Sequence, residues 1–275
     1  MTVHGCSWLG PIGGLVHVPC PADLRVEWDL RSSVFRPMSG AATVYEAAEA
    51  RRVWSIDLGL LTDAEGVALR QLLDPLYGRR ALTWAYISTH ASATNMLTPR
   101  QVAFAAGTWN AGSALRLADV RTADGTAFAG LQLVNAGASV VFAKHPAIPG
   151  RAHTFSVYGH SRTSITQTVL AVVWHDSAGT ALRTDTAGAI RNGAVLERVV
   201  LSNVTPPSGA VTYELHLQGG DVFAWPAVTL SSTALPFALG GGCADVTADI
   251  PGVQLLQAWP DRAPLTSATL TVREL

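Results

Sequence analysis

The sequence predicts a mainly β protein in two parts: an N-terminal β-barrel or sandwich with one short helix, followed by an antiparallel jelly-roll sandwich. Three observations predict it. Short apolar runs of period two recur along the chain, turn signals separate them at regular spacing, and a helical period surfaces once.

In the first part, Leu24-Arg25-Val26-Glu27-Trp28-Asp29-Leu30 alternates apolar and charged residues, the mark of a half-buried strand, and 53–58 is a second strand. Thr62-Asp63-Ala64-Glu65 is a capping box that opens a helix over 62–73. Val67, Leu69, Leu72, Leu73 and Leu76 give the helix its apolar face, and Pro75 with Gly78 ends it. Residues 81–87 resume as a strand. At 88–99 the composition turns to Ser, Thr, Ala and Asn before Pro99, a domain junction. The expected division is 1–92 for the first domain, 93–99 for the junction and 100–232 for the sandwich.

The sandwich is read from strands at 113–117, 129–134, 139–143, 153–158, 167–174, 195–201, 212–218 and 223–230. Turn residues between them include Asp124-Gly125, Pro149-Gly150, Asp176-Ser177-Ala178-Gly179, Asn192-Gly193 and Gly219-Gly220. After Pro236 and Gly240–Gly242, strands are expected at 245–250, 253–259 and 268–273. Periodicity leaves open which part residues 233–275 join.

Composition excludes several classes. Hydrophobic residues are 48% and charged residues 14%, against about 25% charged in a typical domain. That excludes a disordered chain or a coiled coil. A formal net charge of −1, with Lys144 the only lysine, excludes a nucleic-acid footprint. A surface so poor in charge is given over to neighbours, with copies of the chain itself as the expected partners. Residues 1–22 lack Lys and Arg, and Pro11, Gly13 and Gly14 interrupt their apolar run, which is not the pattern of an export signal. The uncharged parts of the sequence are likewise broken by Pro and Gly, so no membrane insertion is expected.

The candidate chemistry is thin. Cys6, Cys20 and Cys243 cannot all pair within one chain. His4, Cys6, His17 and Cys20 form H-x-C and H-x-x-C pairs that nominally surround a zinc ion, but H-x-C is not a usual zinc spacing, and no metal site is assigned. Gly159-His160-Ser161-Arg162-Thr163 approaches the G-x-S-x-G elbow of serine hydrolases. That elbow needs a strand turning into a helix, whereas the residues after it alternate like a strand. His175 and Asp176 are adjacent on a strand, so they point to opposite faces and form no catalytic pair. No catalytic residue and no cofactor is therefore assigned. Of the eight tryptophans, Trp174 and Trp225 lie inside strands and are read as core. Trp109, in the loop-like Gly107-Thr108-Trp109-Asn110, is the candidate to stack on a sugar ring.

Arg52-Val53-Trp54-Ser55, the 62–73 helix, Gly78, Leu82-Thr83-Trp84 and Asn95-Met96-Leu97-Thr98-Pro99 together resemble minor tail proteins of siphophages that infect actinobacteria. Further matching pieces are Pro149-Gly150, the run from His153 to Tyr158, Val173-Trp174-His175-Asp176, Glu197-Arg198-Val199, Pro206-Pro207-Ser208-Gly209-Ala210, Trp225-Pro226-Ala227 and the ending Arg273-Glu274-Leu275. The resemblance implies a domain similar to the distal tail proteins of the baseplate, then a galactose-binding-like sandwich similar to carbohydrate-binding modules. It also implies a trimer or hexamer ring in the virion tail tip, contacts with tail-tube and other tail-tip proteins, and adhesion to host cell-wall carbohydrate. Position 96 is Met where Leu is commoner, and His4, Cys6, His17 and Cys20 match no motif of the family. Two alternatives stay open on the residues: a secreted carbohydrate-binding module protein, and a serine esterase built on Ser161.

Overall fold

The computed structural model describes residues 7–29, 32–35, 43–46, 51–74, 83–105, 107–110, 114–121, 127–133, 139–142, 144–160, 165–190, 196–219, 222–250, 253–259 and 262–275. The chain is mainly β and its sheets are antiparallel, as expected.

The first part contains β1 (Ser7–Pro11), β2 (Val16–Val18), β3 (Asp23–Asp29), β4 (Ser32–Phe35), β5 (Thr43–Glu46), β6 (Arg51–Asp57), α1 (Asp63–Leu73) and β7 (Trp84–Ile87). The expected capping box is present: the Glu65 amide donates to Thr62 Oγ1 at 3.4 Å, and the Thr62 amide donates to Glu65 Oε2 at 2.9 Å. Leu69 and Leu72 of this helix are buried, whereas Val67 stands exposed. Leu76 and the stop signals Pro75 and Gly78 lie outside the described residues.

The junction corrects the one-helix expectation. It holds two further short helices, α2 (Thr89–Thr94) and α3 (Pro99–Val102). The hydroxyls of Ser88 and Thr98 cap them, and Pro99 occupies the first turn, where its missing N–H costs nothing. Segments this short escape a periodicity argument and are found only through their caps.

Then follow β8 (Trp109–Asn110), β9 (Ala114–Arg121), β10 (Ala127–Leu133), β11 (Ser139–Phe142), β12 (His145–Pro146), β13 (His153–His160), β14 (Ile165–His175), β15 (Ala181–Ile190), β16 (Glu197–Val204), β17 (Thr212–Gln218) and β18 (Val222–Thr229). They make the jelly-roll sandwich. One sheet runs β16-β13-β18-β10-β9 and the other β15-β14-β17-β11-β8. Between them lies a core that includes Phe155, Val157, Leu170, Val172, Trp174, Tyr213, Leu215 and Phe223. β15, with Thr184, Asp185, Thr186 and Gly188, carries too little apolar alternation to be read as a strand in advance. It is an edge strand on which Thr184, Thr186 and Gly188 are exposed, while Asp185 is half-buried.

The chain finally returns as β19 (Cys243–Ala244), β20 (Val246–Asp249), β21 (Val253–Trp259) and β22 (Arg262–Glu274). β19 pairs with β7, and β22 pairs with β6. Residues 243–275 thus hydrogen-bond with strands of the first ninety, which answers the question periodicity left open. Two sheets, β19-β7-β1-β2 and β20-β22-β6-β3, close on a second core of Leu9, Trp54, Ile56, Leu69, Leu72, Tyr86, Leu270 and Val272. The sandwich is therefore an insertion between β7 and β19 of this base.

One buried side chain locks that insertion. Asn95 is fully buried and makes four hydrogen bonds. Its Nδ2 donates to the carbonyls of Pro226 (3.2 Å) and Ala238 (3.0 Å), and its Oδ1 accepts from the amides of Leu97 (3.2 Å) and Val228 (3.1 Å). Gly240 and Gly242 pass so close to the junction that a Cβ on Gly242 would lie 1.8 Å from the Met96 carbonyl oxygen. A second anchor ties the linker to the base: the Arg52 guanidinium donates to Glu274 at 3.0 Å and to the carbonyls of Gly241 (3.2 Å) and Gly242 (3.0 Å).

Candidate functional site

The outward face of the sheet β15-β14-β17-β11-β8 presents cross-strand rows fixed by register. One row runs Thr186, Ala171, His216, Val141, Asn110; the next runs Thr184, Val173, Glu214. Val173, Glu214 and His216 are half-buried and His175 is buried although they face away from the sandwich core. Small and β-branched neighbours such as Ala171, Val141 and Thr184 flank these polar groups.

At its centre, Glu214 Oε2 lies 3.3 Å from His175 Nε2 and 3.3 Å from His216 Nε2. His175 is oriented from behind: its Nδ1 donates to the Gly179 carbonyl at 3.1 Å, and its Nε2, though 3.3 Å from the Glu214 carboxylate, makes no hydrogen bond. Gly179 sits in the turn expected from the sequence, with φ of +83°, while Asp176 Oδ1 accepts from the amides of Ala178 (2.9 Å) and Thr180 (2.8 Å). Asp176 is thus a turn residue, and the carboxylate that lies beside the His175 ring is Glu214 of the neighbouring strand. The sequence signal for this triad was only the E-x-H spacing of Glu214 and His216; His175 joins through register, which a linear reading does not contain. The chemistry on offer is an acceptor-only carboxylate flanked by two imidazoles, a set suited to hydroxyl groups.

Other residues singled out in advance fall elsewhere. Trp109 is corrected from an exposed loop to a short strand. It pairs opposite Phe142 on the core side of the sheet, is half-buried, and its indole N–H donates to the Phe104 carbonyl at 3.0 Å. Trp174 is in the core, with its N–H on Asp185 at 2.7 Å. Trp225 is buried too, but on the outer face of the opposite sheet. A bulge with φ of +55° turns it there, against Tyr158 (5.0 Å between ring centroids) and under Phe237 (5.5 Å).

His4 and Cys6 lie outside the described residues, while His17 is exposed in β2 against Trp8 and Cys20 is exposed just after it. Among the described residues no group of three or more His, Cys, Asp or Glu is arranged to hold a metal ion. Ser161 also lies outside the described residues, yet the elements flanking it, β13 and β14, are both strands, so the strand-to-helix setting of a hydrolase elbow is missing. Among the described residues no helix is long and apolar enough to cross a membrane.

Two buried histidines lie within the sandwich. His145 Nε2 donates to the Met96 carbonyl at 2.9 Å, and His153 Nδ1 lies 2.9 Å from the Arg151 carbonyl. Burial lowers the pKa of each to about 4, so both are neutral core groups.

The chain matches no protein-family profile and no curated protein sequence. Among solved structures it is similar to the enzymatically active domain of tailspike protein 4 of bacteriophage CBA120, at 17% identity and TM-score 0.38 over 50% of this chain and 21% of that one. It is similar to the C-terminal family 22 carbohydrate-binding module of Clostridium thermocellum Xyn10B, at 21% identity and TM-score 0.37 over 48% of this chain and 91% of that one. A family 61 module, TmCBM61, in complex with β-1,4-galactotriose matches at 11% identity and TM-score 0.34 over 50% of this chain and all of that one. Likenesses at this level carry no functional argument.

Proposed function

We propose that this chain is a non-catalytic structural component of a phage tail tip, a minor tail protein whose base packs around the tail axis and whose galactose-binding-like sandwich adheres to host cell-surface glycan. The observation that carries the reading is the insertion itself. A base closed by its own returning strands holds a sandwich through a hydrogen-bonded junction, and that junction is the Asn95-Met96-Leu97-Thr98-Pro99 segment that resembles the tail family. Every position of the segment contributes physically. Asn95 bridges junction, sandwich and linker, Met96 and Leu97 enter the core, and Thr98 with Pro99 caps a helix. Low charge over the whole chain supports surface shared with copies of itself and with other tail parts.

The face carrying His175, Glu214 and His216 is the proposed glycan contact, with the carboxylate accepting from sugar hydroxyls. Co-sedimentation of the purified chain with host cell walls tests it. Wild type is expected to pellet with the walls, and Glu214→Gln to bind roughly tenfold more weakly, the loss of a hydrogen bond to a charged acceptor. Equal binding by wild type and Glu214→Gln assigns adhesion to another surface, and absence of wild-type binding removes adhesion from the proposed role.

A further inference from the structure

The base sheet β20-β22-β6-β3 ends at β3, and among the described residues no strand pairs with the outer side of β3. Register places Leu24, Val26 and Trp28 opposite Ile56, Trp54 and Arg52 of β6, so the apolar side of β3 continues the core face of the sheet. Burial stops at that step. Ile56 and Trp54 are 0% and 2% exposed, whereas Val26 and Trp28 are 45% and 60% exposed. Of the usual protections of an edge, β3 has charged side chains but no Pro, no Lys and no register shift along its seven pairs with β6. Its other side carries Asp23, Arg25, Glu27 and Asp29.

We infer that β3 is a self-pairing edge, at which a second copy of this chain adds its own β3 antiparallel about a two-fold axis through Val26. Charge complementarity supports a second copy as the occupant, in the register that keeps like charges off the axis. With the axis at Val26, Arg25 of each copy faces Glu27 of the other, Leu24 faces Trp28, and Val26 faces its own counterpart. An axis at Arg25 sets Arg25 against its own counterpart and Asp23 against Glu27, and an axis at Glu27 pairs Arg25 with Asp29 but sets two Glu27 carboxylates together on the axis itself. Shifting it between residues sets apolar against charged positions, because opposed residues in an antiparallel pair share a face. Asp23 and Asp29 meet only at the ends, where Arg25 already holds Asp23 at 3.0 Å. Such a contact is isologous, and each copy supplies the same patch. It joins free copies in pairs, a contact separate from the cyclic one that a ring around the tail axis requires, and it rests on no part of the tail-tip reading.

Sedimentation velocity over a dilution series, with oxidative cross-linking, tests the inference on the full chain. Wild type is expected to associate reversibly. Arg25→Glu and Glu27→Arg are each expected to weaken the pair roughly tenfold or more, because two attractions become two repulsions. The combined Arg25→Glu/Glu27→Arg chain is expected to recover most of the loss. Val26→Cys is expected to cross-link to its own counterpart above the background of the native cysteines, with circular dichroism verifying the fold of each variant. A wild type that stays monomeric, an association indifferent to the single reversals, a double reversal no better than either single, or a Val26→Cys chain that does not cross-link would each overturn it.

Discussion

At the residue scale, the polar groups that matter most are buried ones whose hydrogen bonds cross between parts of the chain. Asn95 uses both its donor and its acceptor on three segments, so Asn95→Ala leaves four backbone groups without their partner. A loss of about 3 kcal/mol or more is expected in chemical denaturation; a loss under about 1 kcal/mol would show that water or a shifted backbone replaces it. The sequence displayed Asn95 only as the first letter of a motif, since its partners Pro226, Val228 and Ala238 lie more than a hundred residues away.

His145 and His153 make acid the sensitive direction. Each has a folded pKa near 4, below the ordinary value of about 6.5, so the unfolded chain binds protons first as pH falls. Stability is full above about pH 6.5 and declines toward pH 4, by on the order of 3 kcal/mol for each histidine. Glu274 adds to this at lower pH: burial alone raises its carboxyl, but Arg52 outweighs burial and holds it below the usual range. Its contribution is present above that range and is lost on further acidification. Denaturant midpoints measured at pH 7, 6, 5 and 4.5 are expected to fall steadily; a flat profile would mean that the histidines are not buried in the native state.

At the element scale, strands with strong alternation and the capped helix α1 were legible, because period and cap chemistry are local. Polar β15, the two-residue β8 and the short helices of the junction were not, because tertiary pairing rather than propensity places them. The return of residues 243–275 to the base was equally hidden, being a matter of which edge accepts them. The linker between sandwich and base makes this placement testable. Gly242→Ala drives a Cβ to 1.8 Å from the Met96 carbonyl oxygen, whereas a Cβ on Gly150, at φ of +69°, meets nothing within 4 Å. Thermal unfolding is expected to show a loss above about 2 kcal/mol for Gly242→Ala, against about 1 kcal/mol for Gly150→Ala from backbone strain alone. Equal losses would mean that the linker is not seated on the junction.

At the scale of the whole molecule, two sheet systems share one chain, and their outer faces differ in character. The base exposes Val26 and Trp28 on an open edge, a surface suited to protein neighbours. The sandwich presents Glu214 between two imidazoles on a polar face, a surface suited to hydroxyl groups. The triad was not legible in advance because it draws on β14 and β17 together, and Trp109, the aromatic singled out instead, is turned toward the core by strand parity.

The proposed tail-tip role is tested most directly by a cryo-EM reconstruction of tailed particles purified from cells that produce this chain. Density is expected for three or six copies around the axis at the tail tip, with the Glu214 face turned away from that axis. Purified particles that lack the chain, or that carry it in the capsid or along the tail tube, would contradict the tail-tip role.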